Sequence, residues 1–125
     1  MTDRAVKVTY ILVLHLPEQR RMNVGRLGTV AFKPGIYFYV GSGGRSPLKR
    51  IVRHIKKSKR KHWHIDFLTV QSKVIGAFIL EADISLECAL ARCLAGCFEP
   101  VGGFGSSDCR CGSHLFFAGA QGKEV

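Results

Sequence analysis

This sequence of 125 residues has no long apolar run. The longest one, Tyr10 to Leu16, contains His15 and is far shorter than the roughly 20 residues that a membrane-spanning helix needs. Asp3 and Arg4 do not precede the apolar core of a signal peptide. There is also no internal repeat and no low-complexity tract. These absences predict one cytoplasmic domain over residues 1–125, with no membrane partner and with a flexible tail over 119–125.

The cysteine count argues against a disulfide framework. The five cysteines are an odd number in a chain without a secretory signal, so buried or free thiols are expected. Cys109-x-Cys111-x-x-His114 does place soft and imidazole ligands close together. The spacing differs from the usual Cys-x-x-Cys knuckle, so structural zinc is the lesser alternative. Its remaining ligands would come from Cys88, Cys93 or Cys97.

Acidic residues are absent from the segment Arg45 to Lys61, which carries nine Lys or Arg. The rest of the chain has ten positive residues and all nine acidic ones, so it is almost neutral. This segment therefore carries nearly the whole formal net charge of +10. A surface that only keeps a protein soluble usually mixes both signs. The charge therefore predicts a face that binds a polyanion, with a merely solvated charged face as the alternative.

Strand-forming residues alternate with helical patterns along the chain. The run Val6 to Leu16 is almost continuously apolar, as in a central strand covered on both faces. Weaker strand patterns occupy Asn23 to Phe32. After the turn at Lys33-Pro-Gly35, Ile36 to Val40 is expected to pair antiparallel with an earlier strand. Further strands are predicted at Lys73 to Leu80 and Leu115 to Ala118.

The helical patterns complete an α/β (α+β) fold. Leu48, Ile51, Val52 and Ile55 recur at helical spacing and predict an amphipathic helix that begins at Pro47. A second helix is predicted from a cap at Asp83 or Ser85 to about Gly96, and a short element begins at His62. The expected architecture is a small, mainly antiparallel sheet of three to four strands flanked by helices.

The stretch Gly35 to Gly44 predicts a strand that leads through a Gly-Ser loop into the basic helix. A helix N-terminus after a glycine-rich loop is a common site for phosphate. Ser42 and Gly43 would let the backbone approach a nucleic acid closely.

From Val6 to Phe117 the chain resembles the GIY-YIG nuclease superfamily, and within it the small stand-alone Uri-type members. Tyr39-Val-Gly41 matches the second motif of that family. The literal Gly35-Ile-Tyr37 is too close to Tyr39 to be the first motif, because the family places its two motifs on two strands. Val8-Thr9-Tyr10 fits the first motif better, although it lacks the glycine, and Tyr37 has a core or groove role as its alternative.

The resemblance implies roles for residues on both predicted helices. Arg50 and His54 match the arginine and the histidine of the first helix, and their i, i+4 spacing lets them converge on one phosphate; Arg53 is the alternative arginine. Glu87 matches the glutamate that binds a single Mg²⁺ or Mn²⁺. The other interpretation of Glu87 is a first-turn acid favoured by the helix dipole.

The implied function is metal-dependent hydrolysis of phosphodiester bonds in nucleic acid, with DNA favoured over RNA and structure recognised rather than base order. Tyr10, Tyr39, Arg50, His54 and Glu87 form the implied catalytic set. The alternative is a nucleic-acid-binding module without activity. No small-molecule cofactor is indicated, and the sequence does not indicate the oligomeric state. The expected nucleic-acid contacts are Ser42, Gly43, Arg45, Lys49, Arg53, Lys57, Lys61, His62 and His64.

One further pattern has two interpretations. His62-x-His64-x-Asp66 could be a metal triplet in a strand, where alternate residues share a face. A helix would scatter these side chains. Because Trp63, Ile65 and Phe67 are interleaved with them, packing and hydrogen bonding are the favoured roles.

Overall fold

The computed structural model of the protein describes residues 7–44, 47–56, 64–82, 86–104 and 112–119. Within these ranges lie seven strands, three α-helices and one 3₁₀ turn at Gly25–Leu27. The strands are β1 (Lys7–Leu16), β2 (Arg20–Asn23), β3 (Thr29–Phe32), β4 (Gly35–Gly44), β5 (Lys73–Ala82), β6 (Glu99–Pro100) and β7 (Leu115–Gly119). The helices are α1 (Pro47–Ile55), α2 (His64–Thr69) and α3 (Leu86–Ala95).

β1 lies inside a five-stranded antiparallel sheet of order β5-β1-β4-β7-β6. Its alternate residues Tyr10, Leu12, Leu14 and Leu16 are buried, while Ile11, Val13 and His15 are half-buried. The even-numbered face packs on the main core with Ile65 and Leu68 of α2. The predicted central strand is therefore confirmed, but its second face is covered only in part.

The α+β class is confirmed, with one strand more than the predicted three to four in the main sheet. The additional strand is β6, which has only two residues and pairs with β7. Two residues are too few to show a periodicity. The weak pattern around Asn23 to Phe32 forms the separate hairpin β2–β3, and β4 pairs antiparallel with β1 as predicted.

The helix α1 forms where predicted, but it does not pack through the predicted apolar stripe. Leu48, Val52 and Ile55 are 66%, 53% and 52% exposed, whereas His54 is fully buried. Of the four predicted stripe residues only Ile51 packs against the main core. Burial of His54 costs little because the imidazole has a hydrogen-bond partner, so a polar residue takes the inner position.

The stretch after Tyr39 is not a loop, contrary to expectation. β4 continues to Gly44, and Ser42 and Gly44 pair with Thr9 and Val8 of β1 across a register shift. The shift leaves Gly43 as the extra residue of a bulge. The backbone that was expected to approach nucleic acid at Ser42 and Gly43 is therefore part of the sheet ladder.

The opposite face of the sheet is covered by α3. Ala91 is buried with Val40 and Phe116, and Leu90 and Leu94 pack around them. The helix ends at Ala95, one residue before the predicted stop at Gly96. None of the helices in the described ranges is long and apolar enough to span a membrane. Of the predicted tail, Gly119 closes β7 and the rest lies outside the described residues.

Candidate active site

Two tyrosines from neighbouring strands share the inner face of the sheet. Tyr10 of β1 lies opposite Gly41 of β4, and Tyr39 lies opposite Leu12, so the tyrosines are diagonal neighbours. Their ring centroids are 6.5 Å apart with planes at 50°. The structure thus brings together the two tyrosines predicted from the sequence.

His54 of α1 joins both tyrosines. Its Nε2 lies 2.7 Å from the Tyr10 hydroxyl oxygen, in a buried hydrogen bond. The His54 ring centroid is 5.6 Å from that of Tyr10 and 6.1 Å from that of Tyr39. We call these three side chains the Tyr-His cluster.

Gly41 provides the space for the Tyr10 phenol. A Cβ atom at residue 41 would lie 2.5 Å from Tyr10 Cζ and 2.6 Å from its hydroxyl oxygen, far inside van der Waals contact. The glycine of the Tyr-Val-Gly motif is therefore required by the tyrosine on the neighbouring strand. Any larger residue would displace the phenol from His54.

Both tyrosines of the cluster are neutral phenols at pH 7. Burial raises the pKa of Tyr10 well above its ordinary value near 10, and the positive charge of Arg50 lowers it by less. Burial also raises the pKa of Tyr39, which is raised further by its proximity to Tyr10 and to the charge of Glu87. Neither phenol is a strong base by itself in the protein without bound metal.

Arg50 is the arginine whose charge acts on the cluster. It is half-buried on α1, and its charge lowers the pKa of both tyrosines. Arg53 instead directs its fork at Asp66 of α2, with Nη1–Oδ1 and Nη2–Oδ2 distances of 2.6 and 2.9 Å. That bidentate bond raises the pKa of Arg53. A nucleic-acid contact by Arg53 would compete with this ion pair.

Glu87, in the first turn of α3, is close enough for its charge to act on both tyrosines. Its charge raises the pKa of Tyr10 and of Tyr39, and its side chain is 25% exposed. Glu87 Oε2 lies 3.1 Å from Nδ1 of His114, an ion-pair distance whose direction is not that of an aligned N–H···O bond. His114 directly precedes β7, and its carbonyl accepts a hydrogen bond from the Val40 N–H.

A divalent cation fits the chemistry of this position. A partly exposed carboxylate is a ligand that Mg²⁺ and Mn²⁺ accept, and water and substrate oxygens commonly fill the other positions. Among the described residues no group of three or more His, Cys, Asp or Glu is placed to hold a metal. The role of Glu87 as the metal-binding carboxylate, which the family resemblance implies, stays a prediction.

Several other predicted site residues have different surroundings. Tyr37 is a core residue whose hydroxyl donates to the Lys33 carbonyl at 2.6 Å. His64 packs edge-on against Phe104, and burial lowers its pKa. Asp66 is fully buried in a helix, so the strand geometry needed for the metal triplet with His62 and His64 is absent in the described part of this segment.

The basic surface is described in part. Lys49 on α1 and Lys56 directly after it are exposed. The remaining predicted contacts of this segment, Arg45, Lys57, Lys61 and His62, lie outside the described residues. So do Cys109 and Cys111 of the zinc alternative. Cys93 and Cys97 are free thiols exposed on the surface.

Sequence reasoning missed the roles of three residues around the site. The clash that requires Gly41 depends on a tyrosine 31 positions away in the sequence, and Asp66 meets Arg53 only through the packing of α2 on α1. From the sequence, His114 is indicated only as a zinc ligand beside Cys109 and Cys111. The lone acid of α2 was the one available signal, because a buried carboxylate needs a counter-charge.

The chain matches the model of the family described as "Domain of unknown function DUF123" over residues 9–125. No curated protein and no solved structure matches the sequence. The family match includes β1 from Thr9 onward, and therefore both tyrosines, the α1 pair and Glu87. The chain belongs to the DUF123 family.

Proposed function

We propose that this protein is a metal-dependent endonuclease of GIY-YIG type that hydrolyses phosphodiester bonds, with DNA favoured over RNA as its substrate. The observation that supports this proposal best is the convergence of the Tyr-His cluster with two opposite charges, Arg50 and Glu87. A surface that only binds nucleic acid has no use for a carboxylate beside a phosphate, since the two repel each other.

Each residue has a role that follows from its surroundings. Arg50 binds the non-bridging oxygens of the phosphate and stabilises their growing charge, because its guanidinium is always ionised. Glu87 would hold the divalent cation, which when bound would supply Lewis-acid chemistry to the reaction. Lys49 and Lys56 contact the nucleic-acid backbone without reading its sequence.

The Tyr10–His54 hydrogen bond suggests a path for the proton of the attacking water. Tyr10 accepts a proton from the water as it passes its own to Nε2 of His54, so that no free phenolate has to form. The water oxygen bonds to phosphorus, the P–O bond to the departing sugar breaks, and solvent protonates the leaving oxygen. Tyr39 orients the water from the other side of the cluster.

The experiment is an incubation of purified protein with linear, single-stranded and branched DNA and with RNA. Each substrate is tested with Mg²⁺, with Mn²⁺ and with chelator. We expect cleavage that needs the metal and that falls about 100-fold or more in Glu87→Ala and Arg50→Ala. Glu99→Ala and Arg20→Ala are matched controls, because they remove an exposed carboxylate and an exposed guanidinium from surface ion pairs.

Two outcomes would contradict the nuclease proposal. One is cleavage that persists unchanged in Glu87→Ala, which indicates a contaminating nuclease. The other is tight binding of the substrates without cleavage of any of them by the wild type. In that case the protein is a binding module that uses the same basic helix.

A further inference from the structure

His114 is held rigidly beside Glu87. Its backbone N–H donates to the Phe104 carbonyl at 2.8 Å, and its carbonyl accepts from Val40 at 2.9 Å. The residue is 2% exposed, so the imidazole is buried, and its Nδ1 lies 3.1 Å from Glu87 Oε2. The two hydrogen bonds thus fix the backbone of His114, and burial restricts the movement of its ring.

The separation of the two atoms is that of two ligands of one metal ion. Protein nitrogen and oxygen ligands lie about 2.0–2.2 Å from a first-row divalent metal. When two such bonds meet at a right angle, the ligand atoms are about 3 Å apart. Glu87 Oε2 and His114 Nδ1 are 3.1 Å apart, and so could bind one ion with little rearrangement.

We propose that His114 is the second protein ligand of the metal ion that Glu87 holds, and that the resulting oxygen–nitrogen site selects Mn²⁺ over Mg²⁺. This inference rests on the proposed function in taking Glu87 as the metal-binding carboxylate. Mg²⁺ prefers oxygen ligands, so a nitrogen ligand adds little to its affinity, whereas imidazole suits transition metals. With two protein ligands, the remaining positions are left for water and phosphate oxygens.

The test measures metal binding in the absence of nucleic acid. Calorimetry gives the affinities of wild type and variants for Mn²⁺ and Mg²⁺, and pulsed electron paramagnetic resonance on bound Mn²⁺ detects a directly bonded nitrogen. We expect tighter Mn²⁺ than Mg²⁺ binding by the wild type. In His114→Gln, Mn²⁺ affinity falls about tenfold or more, Mg²⁺ affinity changes much less, and the nitrogen signal disappears. His15→Gln, at the far end of β1, is the matched control and should change neither.

Even if His114→Gln does not fold, the wild type alone can refute the inference, because a nitrogen ligand must give the nitrogen signal. Mn²⁺ bound without that signal, or no Mn²⁺ bound at all, would overturn the inference. Failure of the nuclease proposal is a separate result, namely Mn²⁺ bound through nitrogen without cleavage of any nucleic acid. Conversely, equal cleavage with both metals and no nitrogen signal would leave the nuclease proposal standing and remove His114 from the metal site.

Discussion

At the scale of single residues, the site depends on tyrosines that are alike in sequence and different in surroundings. Tyr10 and Tyr37 are both buried on the inner face of the sheet. The hydroxyl of Tyr10 meets an ionisable side chain, His54, while that of Tyr37 meets only a backbone carbonyl. The partner of the hydroxyl, and not burial, therefore separates a candidate catalytic tyrosine from a structural one.

Tyr10→Phe is expected to lower cleavage about 100-fold or more, because it removes the atom that relays the proton to His54. The ring and its packing remain, so the loss of stability should be about 1 kcal/mol. Cleavage rates and thermal unfolding measure the two effects. Tyr37→Phe removes the equivalent atom outside the cluster and should keep full activity at a similar cost in stability. Equal activity of the two variants would show that Tyr10 has no catalytic role.

Gly41→Ala is expected to lower the free energy of unfolding by about 1–3 kcal/mol, the usual cost of overpacking. The added Cβ would meet the Tyr10 ring, whose atoms lie 2.5 to 2.8 Å from that position. A double-mutant cycle checks this cause by chemical denaturation. In a Tyr10→Leu background, where the ring is absent, the same change at residue 41 should cost clearly less. An unchanged cost in that background would mean that the glycine is needed for another reason.

At the scale of elements, α1 is oriented by polar contacts rather than by its apolar stripe. Two of its residues determine the orientation, since His54 bonds to Tyr10 and Arg53 pairs with Asp66 of α2. The apolar residues Leu48, Val52 and Ile55 are left facing outward. The helix thus carries the site and the basic surface on different sides of one short element.

The Arg53–Asp66 ion pair is expected to be asymmetric in stability. Arg53→Met leaves the carboxylate of Asp66, which is fully buried, without its fork, and should cost about 3–5 kcal/mol. Asp66→Asn should cost less, about 1–3 kcal/mol, because the Arg53 side chain is 28% exposed and can reach water. Urea unfolding of both variants measures the difference. The double variant Arg53→Met/Asp66→Leu should recover most of the loss, and equal costs for the two single variants would contradict the argument.

The elements were largely predictable from sequence, and their packing was not. β-branched and apolar runs located β1, β4, β5 and β7, because strand propensity is a local property. Helical spacing located α1 but gave the wrong inner face. The period of a pattern shows which residues share a side and does not show what that side contacts. His54 takes the inner position because it bonds to Tyr10, which lies 44 positions away in the sequence.

The candidate site was likewise predictable in part. Tyr10, Tyr39, Arg50, His54 and Glu87 are predicted through a family resemblance. In the structure the rings of Tyr10, Tyr39 and His54 lie together, and the charges of Arg50 and Glu87 act on both tyrosines. The residues that support them, Asp66 and His114, contact Arg53 and Glu87 without any local sequence pattern that would predict it. The sequence predicts a loop at the Gly-Ser stretch, because glycine and serine are typical of loops. In the structure this stretch is a strand, because its pairing with β1 outweighs that tendency.

At the scale of the whole molecule, the three tyrosines of the sequence all resist ionisation. Burial raises the pKa of Tyr37 to about 12, and raises the pKa of Tyr10 and Tyr39 as well. In the unfolded chain each of them would lose its proton near pH 10. The folded protein therefore binds more protons than the unfolded chain above that pH.

Alkaline solution is expected to destabilise the fold. The stability due to the neutral phenols is complete below about pH 10 and is lost as the pH rises toward 12 and beyond, because only the unfolded state gains by ionising there. Thermal unfolding against pH should show a steep fall in that range. In an ultraviolet titration, the phenolate absorbance should rise only at those pH values at which circular dichroism shows that the protein unfolds. A tyrosine that titrates reversibly near pH 10 in the folded protein would contradict the burial of the cluster.

The outer edge of β5 has a consequence for handling the protein in solution. This strand ends the sheet, and Phe78 and Ile79 are 62% and 49% exposed on it, a surface on which two copies could pair. The net charge of +10 repels such copies at low salt, but the same conditions retain contaminating polyanions. Salt near 1 M releases the polyanions and also shortens the range of the repulsion to about 3 Å. Nucleic acid is therefore best removed at high salt only from dilute protein, with the concentration step kept for low salt.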